Sequence, residues 1–204
     1  MRSGRGETWL WWLAKRRARF ALALAATLAT VAAVVPVAMA EGTDGGSRRS
    51  GPQVETAPLQ QVRDATRRYR NVDSAIDAGY VQFLGCVHEP LAGSMGIHFV
   101  NGTLAGDTTI DPAKPEALIY EVEPNGQLSL VGVEYIVFQQ AWDALHNQPP
   151  SLFGQPFMLV PSPNRYGIPA FYEVHAWAWK ANPTGPFKDW NPKVLCLGTE
   201  GHRP

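Results

Sequence analysis

Between Glu116 and Phe138 the chain reads EALIYEVEPNGQLSLVGVEYIVF. Two runs of alternating apolar residues flank Pro124-Asn125-Gly126. Alternation with a period of two is the pattern of a strand with one buried face. Asn-Gly between two such runs is the strongest short-range hairpin signal, because both residues tolerate positive φ. This hairpin constrains the whole chain: two long antiparallel strands need further strands or a helical layer to cover them.

The segments on either side supply that cover. Leu59, Val62, Ala65 and Tyr69 recur at three-to-four spacing, which predicts a helix. Asn71 or Asp73 is placed to cap a second short helix, and Gly79 to stop it. YVQFLGC and MGIHFVN read as strands, QQAWDALHN as a short helix ended by Pro149-Pro150, and AFYEVHAWAWK as the last long strand. GQPFMLVPSPNRYGIP reads as an edge strand and a loop, and the Pro-rich ANPTGPFKDWNPKVLCLG as irregular chain wrapping over the sheet. Helices followed by antiparallel strands predict an α+β fold. A barrel-like closure or a cupin-like sandwich is the alternative.

The first 40 residues differ in kind. Arg2, Arg5, Lys15, Arg16, Arg17 and Arg19 precede an uncharged apolar run that ends in Ala38-Met39-Ala40. This is the pattern of a secretory signal peptide, with an uncleaved membrane anchor as the alternative. Arg16-Arg17 has poor flanks for a twin-arginine signal. Residues 41–57 are polar and Gly/Ser-rich and read as a flexible linker, leaving 58–204 as one domain. Six of the 18 basic and one of the 18 acidic residues lie in the leader, leaving 12 against 17 and a net charge of −5. Such a chain has no basic patch for nucleic acid and, once cleaved, no membrane segment. The expected location is the periplasm, the cell envelope or the exterior.

Cys86 and Cys196 are the only cysteines. Outside the cytoplasm an even count predicts a disulfide, and the loop-entropy relation gives about 4–5 kcal/mol for a closure of this length. Metal ligation by Cys86 with His88 is the alternative.

Strand parity singles out a candidate site. In the last strand Tyr172, Val174, Ala176 and Ala178 share one face, and Phe171, Glu173, His175, Trp177 and Trp179 the other. In VGVEYIVF, Val131, Val133, Tyr135 and Val137 form a core face, which puts Glu134 with Gly132, Ile136 and Phe138. His98 shares a face with Gly96 and Val100. Charged groups seldom stand among apolar residues unless paired or ligating. If these strands are neighbours, His98, Glu134, Glu173 and His175 converge as ligands for a divalent transition metal such as Zn²⁺, Fe²⁺, Mn²⁺ or Cu²⁺. Phe138, Trp177 and Trp179 would wall the pocket against water. Protons would then expel the metal as pH falls through the imidazole range near 6.5. The plainer readings are that these faces lie in solvent and the four are surface polar groups, or that Glu173 and His175 hydrogen-bond a loop such as NRYGIP. His146 and His202 are expected in solvent, and Arg67, Arg68 and Arg70 on a solvated face. Asn101-Gly102-Thr103 matches a glycosylation sequon.

The stretches YRNVDSAIDAGY, MGIHFVN, DPAKPEALIYE, LVGVEYIV and NRYGIPAFYEVHAWAWKANPTGPFKDWNP together resemble a family of small exported bacterial proteins with no assigned activity. The resemblance implies bacterial export and a single domain, and it carries over no catalytic residue. Three functions fit: a domain binding a small ligand or metal ion, a structural envelope protein, or a metal-dependent oxygenase or hydrolase. In the last, His98, His175 and Glu134 would be ligands and Glu173 a general base. Ser94 in AGSMG lacks the strand-turn-helix setting of a hydrolase nucleophile.

Overall fold

A computed structural model describes residues 56–197. The described residues all lie within the unit Arg49–Pro204. The expected signal peptide, most of the linker and His202 lie outside them. No helix among the described residues is long and apolar enough to cross a membrane.

The described chain opens with helix α1 (Ala57–Thr66), a 3₁₀ turn (Arg67–Arg70) and helix α2 (Val72–Asp77). Pro58 sits in the first turn of α1, where its missing N–H costs nothing. Asn71 caps α2 by accepting from the Asp73 N–H, and Gly79 takes φ +90° just beyond its end. Strands β1 (Val81–Gln82), β2 (Val87–Glu89) and β3 (Gly93–Val100) follow. Asn101 then caps the short helix α3 (Gly102–Ala105) and donates to the Ala78 carbonyl, so the sequon amide is already engaged. Next come β4 (Ala117–Val122), β5 (Leu128–Phe138), helix α4 (Gln139–Asp143), and the short strands β6 (Ser151–Leu152), β7 (Gln155–Pro156) and β8 (Met158–Val160). The last strand is β9 (Phe171–Ala176).

The main sheet is antiparallel in the order β1-β3-β4-β5-β9-β8, with β2 also paired to β3. The fold is α+β. The sheet does not close on itself: β1 and β8 remain unjoined edges, so the barrel expectation fails. The two edge strands are only two and three residues long, which limits the unpaired backbone they offer.

One face of the sheet carries Ile97, Phe99, Leu118, Tyr120, Val133, Tyr135, Val137, Tyr172, Val174 and Ala176, packed with Val62, Tyr69 and Ala75 of the helices. Tyrosine hydroxyls on this side secure the surrounding chain. Tyr120 donates to the Tyr69 carbonyl at 2.6 Å, Tyr80 to Pro115 at 2.7 Å and Tyr135 to Pro112 at 2.8 Å. The strap that follows β9, residues 177–197, has no helix or strand and covers part of the opposite face. Val194 of the strap packs there with Ile119, Val131 and Trp177.

Two details depart from simple alternation. The β4–β5 turn gives only Gly126 a positive φ, +81°, while the Asn125 side chain accepts from the Gln127 N–H. This is a three-residue loop, not a two-residue turn with both φ values positive. Within β5, Ile119 pairs with Gly132 but Tyr120 with Leu130, so Val131 is an extra, bulged residue. The bulge moves Val131 out of the helix-side core, where parity had placed it, and puts Leu130 there instead.

Glu116, just before β4, is buried, and its Oε2 accepts the Ile136 N–H at 2.9 Å. Strand β4 begins opposite Glu134, so the carboxyl replaces the missing strand partner. Burial, with Asp107 and Asp111 nearby, raises its pKa to about 8. An unfolded chain loses that proton near 4.5, so between these values it holds fewer protons than the folded one. Stability contributed here therefore falls as pH rises from about 4.5 to 8. Glu116→Gln keeps an acceptor and cannot ionise. Its thermal midpoint should match the wild type at pH 4.5 and exceed it by a few degrees at pH 8.5; equal midpoints at both pH values would contradict the assignment.

Cys86 and Cys196 form a disulfide with Cα atoms 5.5 Å apart, which excludes metal ligation by the Cys86 thiol. The bond ties the strap end to the start of β2. Unreduced, unfolded protein should show no free thiol. Replacing both cysteines with serine should cost about 2–5 kcal/mol in urea denaturation.

Candidate metal centre

The register of the central strands decides which polar side chains meet. In the β5–β9 ladder Glu134 lies directly opposite His175, and Ile136 opposite Glu173. On the far side of β5, Ala117 opposes Glu134 and Ile119 opposes Gly132; Ile119 in turn opposes His98 of β3. The small side chain of Ala117 and the absent one of Gly132 leave room above the sheet. His98 and Glu134, two strands apart, thereby reach each other, with Nε2 and Oε2 3.4 Å apart. The His98 and His175 rings meet edge to face, with centroids 5.9 Å apart.

The structure thus gathers His98, Glu134, Glu173 and His175 on one face. It adds Asp189 from the strap, whose Oδ1 lies 3.8 Å from His175 Nδ1. Ligand atoms of His98, Glu134 and His175 all lie within 4.8 Å of one another, and so do those of Glu173, His175 and Asp189. Asp189 was not legible from strand parity, because it belongs to no strand. The signal that bore on it was the recurring Asn-Pro of the strap. Asn182 donates to the Trp190 carbonyl at 2.9 Å, and Asn191 donates to the Lys180 carbonyl at 3.2 Å. These two buried amides fold the segment that carries Asp189.

Trp177 closes the site from one side. Its ring stacks on His175 at 5.8 Å, and its indole N–H donates to the Lys188 carbonyl. Trp179 does not join it. Strand β9 ends at Ala176 and the alternation ends with it. Trp179 packs against the helix-side core instead, donating to Thr66 Oγ1 at 3.0 Å. Phe138 stands opposite Phe171 at the end of the β5–β9 ladder, half-buried. The Tyr166 hydroxyl, from the NRYGIP loop, reaches Met95 Sδ at 3.5 Å. His88 pairs with Ser94 Oγ at 3.3 Å, and Ser94 is covered by its backbone bridge to Asn191. His146 is exposed and stacked on Trp142.

Burial sets the charge state of the cluster. His98 is lowered to about 4 by burial, with a hydrogen bond to the Gly96 backbone opposing the shift. His175 is lowered too, by burial and by His98 beside it. Glu134 is raised by burial and by Glu173, to which it hydrogen-bonds. Glu173 is raised by burial, an effect its bond to Glu134 partly offsets. Asp189 is raised by burial and pulled back by Lys188. Burial thus holds both imidazoles below their ordinary range, which favours the neutral form with a free lone pair, and holds the three carboxyls above theirs.

His175 is completely buried, and neither of its ring nitrogens has a hydrogen-bond partner among the described residues. Leaving a buried polar atom unpaired costs about 1–3 kcal/mol. A groove of about 590 Å³ lined by Arg70, Glu121, Trp179 and Lys180 shares none of the cluster's five residues. No family model, curated protein or solved structure matches this chain.

Gly132 is what lets Trp177 lie flat over the site. A Cβ there would stand 3.1 Å from Trp177 Cε3 and 3.1 Å from the Ala176 carbonyl oxygen. Gly132→Val should displace the indole, destabilise the fold by roughly 1–3 kcal/mol and change the near-ultraviolet circular dichroism. An unaltered spectrum and midpoint would refute this packing role.

Proposed function

We propose that this chain is an exported binding domain whose sheet face holds one divalent transition-metal ion through His98, Glu134 and His175. The observation that carries the proposal is His175: a fully buried imidazole with both nitrogens unpaired, beside a second neutral imidazole and a carboxyl. Two imidazoles and one carboxylate suit zinc, iron, manganese or copper. Tetrahedral ligands about 2.1 Å from a metal stand about 3.4 Å from one another. The observed donor atoms lie within 4.8 Å of one another, so to share an ion they must close by at most about 1.4 Å. An organic ligand fits less well, since His98, Glu134, Glu173 and His175 are all at most 7% exposed.

The same burial weighs against a hydrolase or oxygenase, whose ion needs an open position for substrate. A purely structural envelope role leaves the unpaired nitrogens of His175 unexplained. The leader and the oxidised cysteine pair support export to the periplasm, the cell envelope or the exterior.

Elemental analysis of protein purified without chelators is the direct test. The native protein should carry at least one transition-metal equivalent, and His175→Ala should carry none. Zinc added to metal-free protein should raise the thermal midpoint of the wild type but not of His175→Ala, since an ion that binds only the folded state stabilises it. Occupancy should fall on acidification. Burial lowers both histidines, His98 to about 4, so protons compete for the imidazole nitrogens only below the ordinary imidazole range near 6.5. Absence of metal together with an unmoved midpoint would refute the reading.

A further inference from the structure

Asp189 gives the site an outer half. With Glu173 and His175 it forms a second set of closely spaced donors, and His175 is common to both sets. The ring nitrogen that faces Asp189 is Nδ1. A histidine that ligates one cation keeps an N–H on its other nitrogen and as a rule donates it to a carbonyl or carboxylate. His98 follows this rule through the Gly96 backbone. His175 has no such acceptor on either nitrogen among the described residues.

Building on the inner cation proposed above, we propose that His175 bridges two divalent cations. Nε2 serves the inner ion with His98 and Glu134, and Nδ1 serves an outer ion with Glu173 and Asp189. The two donor sets differ in kind: the inner has two nitrogens and one carboxylate, the outer two carboxylates and one nitrogen. Both suit zinc or another first-row divalent ion, the outer set being the harder. Charge balance points the same way. Glu134, Glu173, Asp189 and a bridging imidazolate carry four negative charges, which two divalent cations neutralise. A single cation leaves one carboxylate to be neutralised by a proton in a buried site.

A neutral imidazole holds one N–H; when the second cation takes that nitrogen, the N–H bond breaks. Its electron pair becomes the ligand pair and the proton passes to solvent, with no change of oxidation state. The outer ion is the one solvent reaches, because the Asp189 side chain is 23% exposed and that of His175 is 0%. A chelator should therefore remove it first.

The test uses the purified full chain with its disulfide intact, stripped of metal and reloaded with zinc. The wild type should retain two zinc ions per chain through gel filtration. Asp189→Asn and Glu173→Gln should each retain one. Copper(II) gives a readout that needs no variant: the imidazolate couples the two unpaired spins, so the electron paramagnetic resonance signal per copper should drop on adding the second equivalent. One ion per wild-type chain, unchanged in Asp189→Asn, would overturn the bridge and leave the inner site standing. Two copper ions whose signals simply add would also overturn the bridge. A wild type that retains no ion would overturn the bridge and the inner site together.

Discussion

Strand β5 is paired along most of its length on both sides, with β4 from Leu128 to Glu134 and with β9 from Val133 to Phe138. These two ladders overlap at Val133 and Glu134, the centre of the sheet. The buried cluster of acids and imidazoles depends on that overlap. It sets Glu134 directly opposite His175 and brings His98 within reach across β4. A slip of one residue in either ladder would turn the acids and imidazoles toward the helix-side core. The tyrosines and valines packed there hold the register against such a slip.

The strap depends in turn on the sheet. It has no ladder of its own, so its backbone must find partners elsewhere. The Trp177 N–H donates to the Pro186 carbonyl, and the Trp179 and Lys180 N–H groups donate to Val131, the bulged residue of β5. Asn191 forms a two-way backbone bridge with Ser94. Gly93, at φ +110°, lies so close that a Cβ there would stand 2.6 Å from the Asn191 carbonyl. Lys180 pairs with buried Glu121 at 2.6 Å, and the disulfide fixes the far end. These ties deliver Asp189 to the cluster, whose four sheet residues are buried.

A cluster of three carboxyls and two imidazoles is an expensive thing to bury. Burial shifts each group toward its neutral form, raising the acids and lowering the histidines. The Glu134–Glu173 hydrogen bond satisfies part of the polar demand. His175 is the residue that this neutralisation does not satisfy. Neither of its ring nitrogens has a hydrogen-bond partner among the described residues.

The sequence by itself determined the local elements and the face on which the key side chains stand. Alternation in β5 and β9 needs only the pleat, and it gave the shared face of Glu134, Glu173, His175 and Trp177. A cap at Asn71 or Asp73, the hairpin at Asn125-Gly126 and the cysteine pair were legible because each depends on a few neighbouring residues or on the number of cysteines. Parity failed where the pleat is interrupted: at the Val131 bulge, which a partner strand imposes, and after Ala176, where the chain leaves the ladder and carries Trp179 to the other side. The open sheet edges and the arrival of Asp189 were decided by tertiary structure alone. Strand order, bulges and the path of a strap without periodicity are set by contacts between residues far apart in the chain, and no local pattern records them.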